Sequence, residues 1–248
     1  MKKQIKYLLV FIALAFTFSC DLPLQDTYDF DPELTIVDPY ADGTAWDFFN
    51  SPNALRVRES DGALLGDSYN YLVAAIEKAG FVDLYNQTDN ADRTYLMLNN
   101  NAFRGGGDVI QLVTGSSSED VTVIENGVPV TRPGTPAEVM ERVDTPEELE
   151  VLRTILRYHI VDAYMAIIPQ LAETNTQYIF QTLIPGEGGQ IAFLRDDRYR
   201  TDINDDRRAP LPFPSSATGQ RERIRNQNYI FNNGIGHSIN DPVRYFPY

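Results

Sequence analysis

The sequence predicts an α+β fold, because helical patterns concentrate in its first half and middle while strand patterns dominate its last third. Two observations support this prediction. The segment Thr145-Pro146-Glu147-Glu148 combines a capping residue, a proline and an acid at the spacing typical of a helix start. Alternating apolar residues flank Asn126-Gly127, which is the strongest short-range signal of a β-hairpin. The chain therefore contains both element types in separate blocks.

The first elements follow from capping residues and apolar spacing. Thr44 is predicted to cap a short helix. A second helix is predicted to begin at a cap formed by Asp67 or Ser68 and to end at Gly80. A strand is then predicted over Thr94–Leu98, where apolar and β-branched residues are continuous.

The later elements are predicted in the same way. The helix that starts at the Thr145 cap carries an apolar stripe at helical spacing. Strands are predicted over Tyr178–Leu183 and Gln190–Leu194, with the glycine-rich residues 185–189 forming the turn between them. Two more short strands are predicted on either side of residues 232–234, Asn-Asn-Gly.

The N-terminal twenty residues have the pattern of a secretory leader. Three lysines precede an apolar run, Tyr7–Phe18, which is too short to span a bilayer as a helix of about 20 residues. Ser19 and then Cys20, the only cysteine, follow this run, as in bacterial lipoprotein signals. We therefore interpret residues 1–19 as a signal peptide and Cys20 as the lipid attachment site. The alternative is an ordinary cleaved signal with a chance cysteine.

Residues 20–43 are interpreted as an acidic tether, and residues 44–248 as one folded domain. The tether contains seven acidic residues, three prolines and no lysine or arginine, a composition that favours an extended chain. The net charge of the whole sequence is −14. Such a charge argues against nucleic-acid binding. It also argues against adsorption to an anionic membrane, so the expected membrane contact is the lipid itself.

Three segments resemble motifs of the fasciclin (FAS1) domain family. RTYLMLNNNAF (93–103) resembles the first motif, and Tyr158-His159-Ile160-Val161 resembles the second. NNGIGHSIND (232–241) resembles the third, with Gly236 in place of an aliphatic residue. The resemblance implies a β-rich wedge or sandwich flanked by helices. Relative to such a domain the chain carries two insertions, at about 104–144 and 196–223, which are expected at the surface.

The resemblance also implies a function. The chain resembles lipid-anchored FAS1 proteins of Bacteroidetes, which implies a non-enzymatic binding or adhesion module anchored in the outer membrane and facing outward. The implied partner is a protein or a glycan at the cell surface. The alternative is an accessory lipoprotein of a TonB-dependent nutrient-uptake complex, with an outer-membrane transporter as the partner. No cofactor is expected.

The candidate site residues allow two interpretations. Tyr158 and His159 fall at a predicted helix end, where the imidazole can satisfy backbone groups. In animal FAS1 domains the tyrosine-histidine segment is implicated in receptor adhesion, so an interaction role is the alternative. The other histidine, His237, is expected to be a strand residue of the core. The aromatic run 245–248 is expected to pack, with sugar or groove binding as the alternative.

No catalytic or metal motif is found. A calcium loop starting at Asp202 would need glycine at its sixth position and glutamate at its twelfth, where the sequence has Arg207 and Phe213. Glu147 and Glu148 are adjacent and point about 100° apart on a helix, so they do not form a glycosidase pair. The glycine-rich segments lack the lysine of a phosphate-binding loop. A surface glycosidase is therefore the disfavoured third hypothesis.

Overall fold

The computed structural model describes residues 42–105, 108–198, 200–205 and 222–243. All of these residues belong to one compact unit. The helices are α1 (Ala45–Phe49), α2 (Asn70–Ala79), α3 (Val82–Asn86), α4 (Asn100–Phe103), α5 (Val109–Thr114), α6 (Pro136–Met140), α7 (Pro146–Tyr158) and α8 (Ile167–Gln170). The strands are β1 (Thr94–Leu98), β2 (Asp120–Glu125), β3 (Val128–Pro133), β4 (Ile160–Val161), β5 (Gln177–Gln181), β6 (Gln190–Arg195), β7 (Thr201–Ile203), β8 (Glu222–Phe231) and β9 (Gly234–Ile239).

Seven strands form a mixed sheet in the order β4-β1-β9-β8-β7-β6-β5. β1 and β9 are parallel, and the other neighbours in this sheet are antiparallel. The two outer strands also meet, because Val161 of β4 forms a bridge with Thr182 just after β5. The sheet therefore nearly closes on itself. Together with the flanking helices it confirms the predicted α+β class.

The predicted strands are found close to their expected bounds. β1 coincides with the prediction, and Gly186–Gly189 form the turn between β5 and β6, with a short 3₁₀ segment at Glu187–Gly189. Gly189 is required there, since a Cβ atom at this position would lie 1.6 Å from the carbonyl oxygen of Ile184. The hairpin β2–β3 turns at Asn126 and Gly127, which both have positive φ angles, as the predicted two-residue turn requires.

Two helix starts are confirmed and one is wrong. Thr44 and Thr145 each form a capping box with the acid three residues later. The second helix starts later than predicted, at Asn70, and neither Asp67 nor Ser68 caps it. Its first turn is instead capped from a distant part of the chain, by Asn100, whose Oδ1 accepts from the Tyr71 N–H at 3.1 Å. Its predicted end at Gly80, in the left-handed conformation, is confirmed.

The first insertion is only partly a surface feature. Most residues of its hairpin are exposed, although Val121 packs against the main apolar core, and helices α5 and α6 on either side of the hairpin contribute to that core. The Gly134 N–H donates to the Glu119 carbonyl at 2.9 Å, so the two ends of the hairpin lie side by side. The expectation of a surface segment over the whole of 104–144 is therefore wrong for the two helices. The core side chains from these helices are Val109, Ile110, Val113, Val139 and Met140.

The second insertion also contributes to the sheet. Within it, β7 lies between β6 and β8, and the residues of β7 are buried. Residues 206–221 lie outside the described part of the chain. No helix among the described residues has both the length and the apolar character needed to cross a bilayer.

Candidate functional site

Tyr158 lies in the last turn of α7 and points into the interior. Its side chain is fully buried. The phenolic O–H donates to the carbonyl of Gln190 at 2.8 Å, and its oxygen accepts from Nδ2 of Asn204, also at 2.8 Å. The Oδ1 atom of Asn204 in turn accepts from the Ala192 N–H. Tyr158 therefore connects the end of α7 to strand β6 and to the residue that follows β7, and its ring is not at the surface.

His159 is the residue that ends α7, and both of its ring nitrogens contact backbone groups. Nε2 lies 2.9 Å from the N–H of Val243 and must therefore accept a hydrogen bond. Nδ1 lies 2.7 Å from the carbonyl oxygen of Ile155 and must therefore carry the proton. The side chain is 1 % exposed, and burial lowers its pKa to about 4. This ring connects a helix end to a segment 84 residues further along the chain.

His237 makes the same kind of connection with the opposite tautomer. It lies in β9 and is fully buried, as expected of a core strand residue. Its Nε2 donates to the carbonyl of Met165 at 2.7 Å, while Nδ1 accepts from the Asn228 N–H at 3.2 Å. Burial lowers the pKa of His237 to about 4 as well. Since each imidazole already donates once and accepts once, neither has a nitrogen left for proton transfer to a ligand.

Two asparagines in the family-like motifs have structural roles that the sequence analysis did not identify. Besides capping α2, Asn100 donates through Nδ2 to the carbonyl of Leu65 at 2.7 Å. Asn233 caps α1 from a distance of 188 residues, since its Oδ1 accepts from the Ala45 N–H at 2.9 Å. Its Nδ2 donates to the carbonyl of Tyr85. The only available signal was their position in the motifs, because their partners are remote in sequence.

Buried carboxylates surround β7 and the start of β8. Asp202 is fully buried and accepts from Nε of Arg223 at 2.7 Å. Glu222 is buried, and its pKa is raised to about 8, mainly by desolvation and further by the nearby Asp241. Among the described residues no group of three or more potential ligands is arranged to hold a metal ion.

The two candidate residues of the second motif-like segment lie in the interior of the domain. Tyr158 and His159 are brought together, with their rings 6.1 Å apart, but both lie inside the domain. A direct contact between these rings and a partner would require the domain to open. Cys20 and the aromatic run 245–248 lie outside the described residues, as does the tether except for Asp42 and Gly43.

Comparison with known proteins finds similarity among solved structures. No protein-family model matches the sequence, and no curated protein matches it. Among solved structures, the chain is similar to a FAS1 domain pair from the insect cell adhesion molecule fasciclin I, with a TM-score of 0.46 and 13 % sequence identity over 82 % of this chain. The chain spans about half, 51 %, of the length of that protein chain.

The β2–β3 hairpin carries the most exposed large apolar side chains among the described residues. Ile124 is 68 % exposed and Val128 is 59 % exposed, and no other large apolar residue among those described reaches these values. They lie on either side of the turn, on opposite faces of the hairpin. A large apolar side chain that is this exposed gains stability when a partner covers it. The hairpin is therefore the described feature best suited to meet a partner.

Proposed function

We propose that this protein is a lipid-anchored, non-enzymatic binding module of the fasciclin type, held at the outer membrane of a Bacteroidetes-type cell and facing outward. Its partner is a protein or glycan of the cell surface. The observation that carries the proposal is the division between interior and surface. The polar motif residues are occupied by structural hydrogen bonds, while the two most exposed large apolar side chains among the described residues lie on one hairpin.

The placement of the histidines supports a binding role over a catalytic one. A general acid or base must reach a substrate proton with a free nitrogen and a pKa near the working pH. His159 and His237 have both nitrogens in hydrogen bonds to the backbone, and burial keeps their pKa values near 4. A neutral imidazole in such a position holds segments together.

The proposed anchor is tested by replacing Cys20 with serine. We expect the Cys20→Ser chain to leave the membrane fraction and the unchanged chain to remain in it, because a thiol is needed for acylation. Treatment of intact cells with a protease then reports the side of the membrane, since an outward-facing chain is cut without lysis. Continued membrane association of the serine variant would contradict the anchor.

The proposed binding role is tested by crosslinking in intact cells, followed by capture of the full lipoprotein and identification of what is attached to it. The double variant Ile124→Asp, Val128→Asp is expected to lose the partner while remaining folded. Val57→Asp is the matched control, because Val57 is 45 % exposed and lies outside the hairpin. Equal recovery of partners by all three chains would contradict the hairpin as the contact surface. Recovery of a TonB-dependent channel would favour the uptake-complex alternative.

A further inference from the structure

The two edges of the hairpin differ in their hydrogen-bonding capacity. Pro129 in β3 lies opposite Ile124, and Pro133 lies opposite Asp120. Proline has no N–H, so these pairs belong to the class whose backbone groups point away from the partner strand. The pairs Val121–Arg132 and Val123–Val130 exchange the hydrogen bonds of the ladder, whereas the pair Thr122–Thr131 belongs to the outward-pointing class as well. The two prolines therefore remove N–H groups from the outer edge of β3, which is how natural sheets block edge pairing.

The edge of β2 contains no proline. Thr122 and Ile124 belong to the same outward-pointing class, and both residues are exposed. Each therefore presents an N–H and a carbonyl on the outer edge. The N–H of Asp120 is different, because it donates to Oγ of Ser118 at 3.0 Å. Within the described residues β2 pairs with β3 alone. The edge of β3 thus keeps only the outward N–H of Thr131, whereas the edge of β2 can accept a strand.

The side chains along β2 suit an added strand. The hydroxyl groups of Thr122 and Thr131 lie 3.0 Å apart on one face, next to the exposed side chain of Ile124. A strand placed beside β2 would cover part of this side chain and of Thr122. Main-chain hydrogen bonds would supply affinity, and alternate side chains would supply selectivity, as in other cases of strand addition.

The charges at the two ends of β2 select the occupant. Asp120 and Glu125 are both exposed and lie at opposite ends of the strand. Arg132 is 3.7 Å from Glu125, but its closer bond, at 2.7 Å, is to Glu138. A second copy would add the same two acids and a net charge of −14, and like charges facing each other across strands are destabilising. A basic segment is complementary.

We propose that the outer edge of β2 is the site where an extended, basic segment of a partner protein adds as a strand. The proposal rests on the binding function proposed above and specifies its partner. In the added strand, the two residues that face Asp120 and Glu125 are five positions apart, and both are basic. The four residues between them, opposite Val121–Ile124, are β-branched or apolar.

The probe is the acetylated and amidated peptide Gly-Lys-Val-Thr-Val-Thr-Lys-Gly, titrated into the isotope-labelled full chain. We expect the amide resonances of Thr122 and Ile124 to shift, and the effect to weaken at high salt. Two further peptides carry N-methyl groups on alternate residues. Because only one alternate set of amides faces β2, one of these peptides should lose binding and the other should retain it.

The matched protein variants are Thr122→Pro and Thr122→Val. Thr122→Pro removes an outward N–H without breaking the ladder to β3, as Pro129 and Pro133 already do on the other strand. We expect the proline variant to bind the peptide at least about tenfold more weakly, because a backbone hydrogen bond is lost and the ring blocks the edge. Thr122→Val keeps the N–H and should bind as the unchanged chain does.

The outcomes are distinct. Three results would overturn the proposal. The proline and valine variants could bind the peptide equally, both methylated peptides could bind as well as the unmodified one, or millimolar peptide could shift no amide resonance. A dimer that Thr122→Pro abolishes would also overturn it and identify a second copy as the occupant. If Thr122→Pro still recovers the crosslinked cell-surface partner, strand addition fails while the proposed binding function stands. If the unchanged chain recovers no partner, the proposed function itself fails.

Discussion

Protonation of His159 and His237 is expected to destabilise the folded chain as the pH falls from about 6.5 to 4. Each imidazole accepts a backbone N–H, from Val243 or from Asn228, and a protonated ring cannot accept it. The folded-state pKa of each histidine is about 4, against 6.5 when unfolded. This stability is therefore fully present above pH 6.5 and is lost as the pH falls through 4. Each shift corresponds to about 3 kcal/mol.

Glu222 acts in the opposite direction. Its folded-state pKa is about 8, against 4.5 when unfolded, so its contribution is fully present below pH 4.5 and is lost as the pH rises through 8. Between pH 4.5 and 6.5 unfolding takes up two protons at the histidines and releases one at Glu222. The free energy of unfolding should then rise by about 1.4 kcal/mol per pH unit. Between pH 6.5 and 8 only Glu222 differs, and the same slope applies with a negative sign.

The folded chain should therefore be most stable near pH 6.5. Urea unfolding of the full chain at half-unit pH steps measures this profile, with fluorescence of the single tryptophan, Trp46, as the probe. His159→Gln should flatten the profile between pH 4.5 and 6.5, because one of the two protons taken up is removed. Glu222→Gln should flatten it between pH 6.5 and 8. A wild-type profile that is flat below pH 6.5, or that rises steadily to pH 8, would refute the reasoning.

Three further changes test the fold. Asn100→Ala should lower the free energy of unfolding, measured in urea, by about 2–4 kcal/mol, because the N–H at the start of α2 and a carbonyl lose their partners. The control is Asn101→Ala at an exposed neighbour, which should lower it by less than about 1 kcal/mol. Replacing residues 120–133 by two glycines should leave a cooperative thermal transition, and loss of that transition would place the hairpin in the core. Gly189→Ala should abolish folding or lower the midpoint strongly, because its Cβ meets the carbonyl of Ile184, and a normal melting curve would contradict that turn.

Features set by residues a few positions apart were predictable from the sequence. The capping boxes at Thr44 and Thr145 connect residues three positions apart, and the turn at Asn126-Gly127 depends on the φ angles of those two residues. Strand β1 was predicted to its ends because all five of its residues are buried and form a continuous apolar or β-branched run. In each case the physical cause lies within a few residues of its effect.

Features set by distant partners were not predictable. The start of α2 depends on Asn100, so the prediction of a cap at Asp67 or Ser68, which considered only nearby residues, was wrong. The tautomer of His237 depends on the carbonyl of Met165, 72 residues away, and that of His159 depends on the N–H of Val243, 84 residues away, as well as on the nearby Ile155 carbonyl. The core position of α5 and α6 could not be inferred from an insertion relative to a family pattern, because packing depends on the whole sheet.

The parallel pairing of β1 with β9 has a consequence for how the chain reaches its folded state. Thr94 lies beside Ile235, so the centre of the sheet joins segments 141 residues apart in the chain. Until residues 234–239 are available, β1 has an unpaired edge and His237 cannot reach Met165. At a synthesis rate of about 10 residues per second, this interval lasts roughly 14 seconds. A chain that is exported before folding would keep that central edge open until β9 arrives, and a truncation before β9 would leave no functional domain.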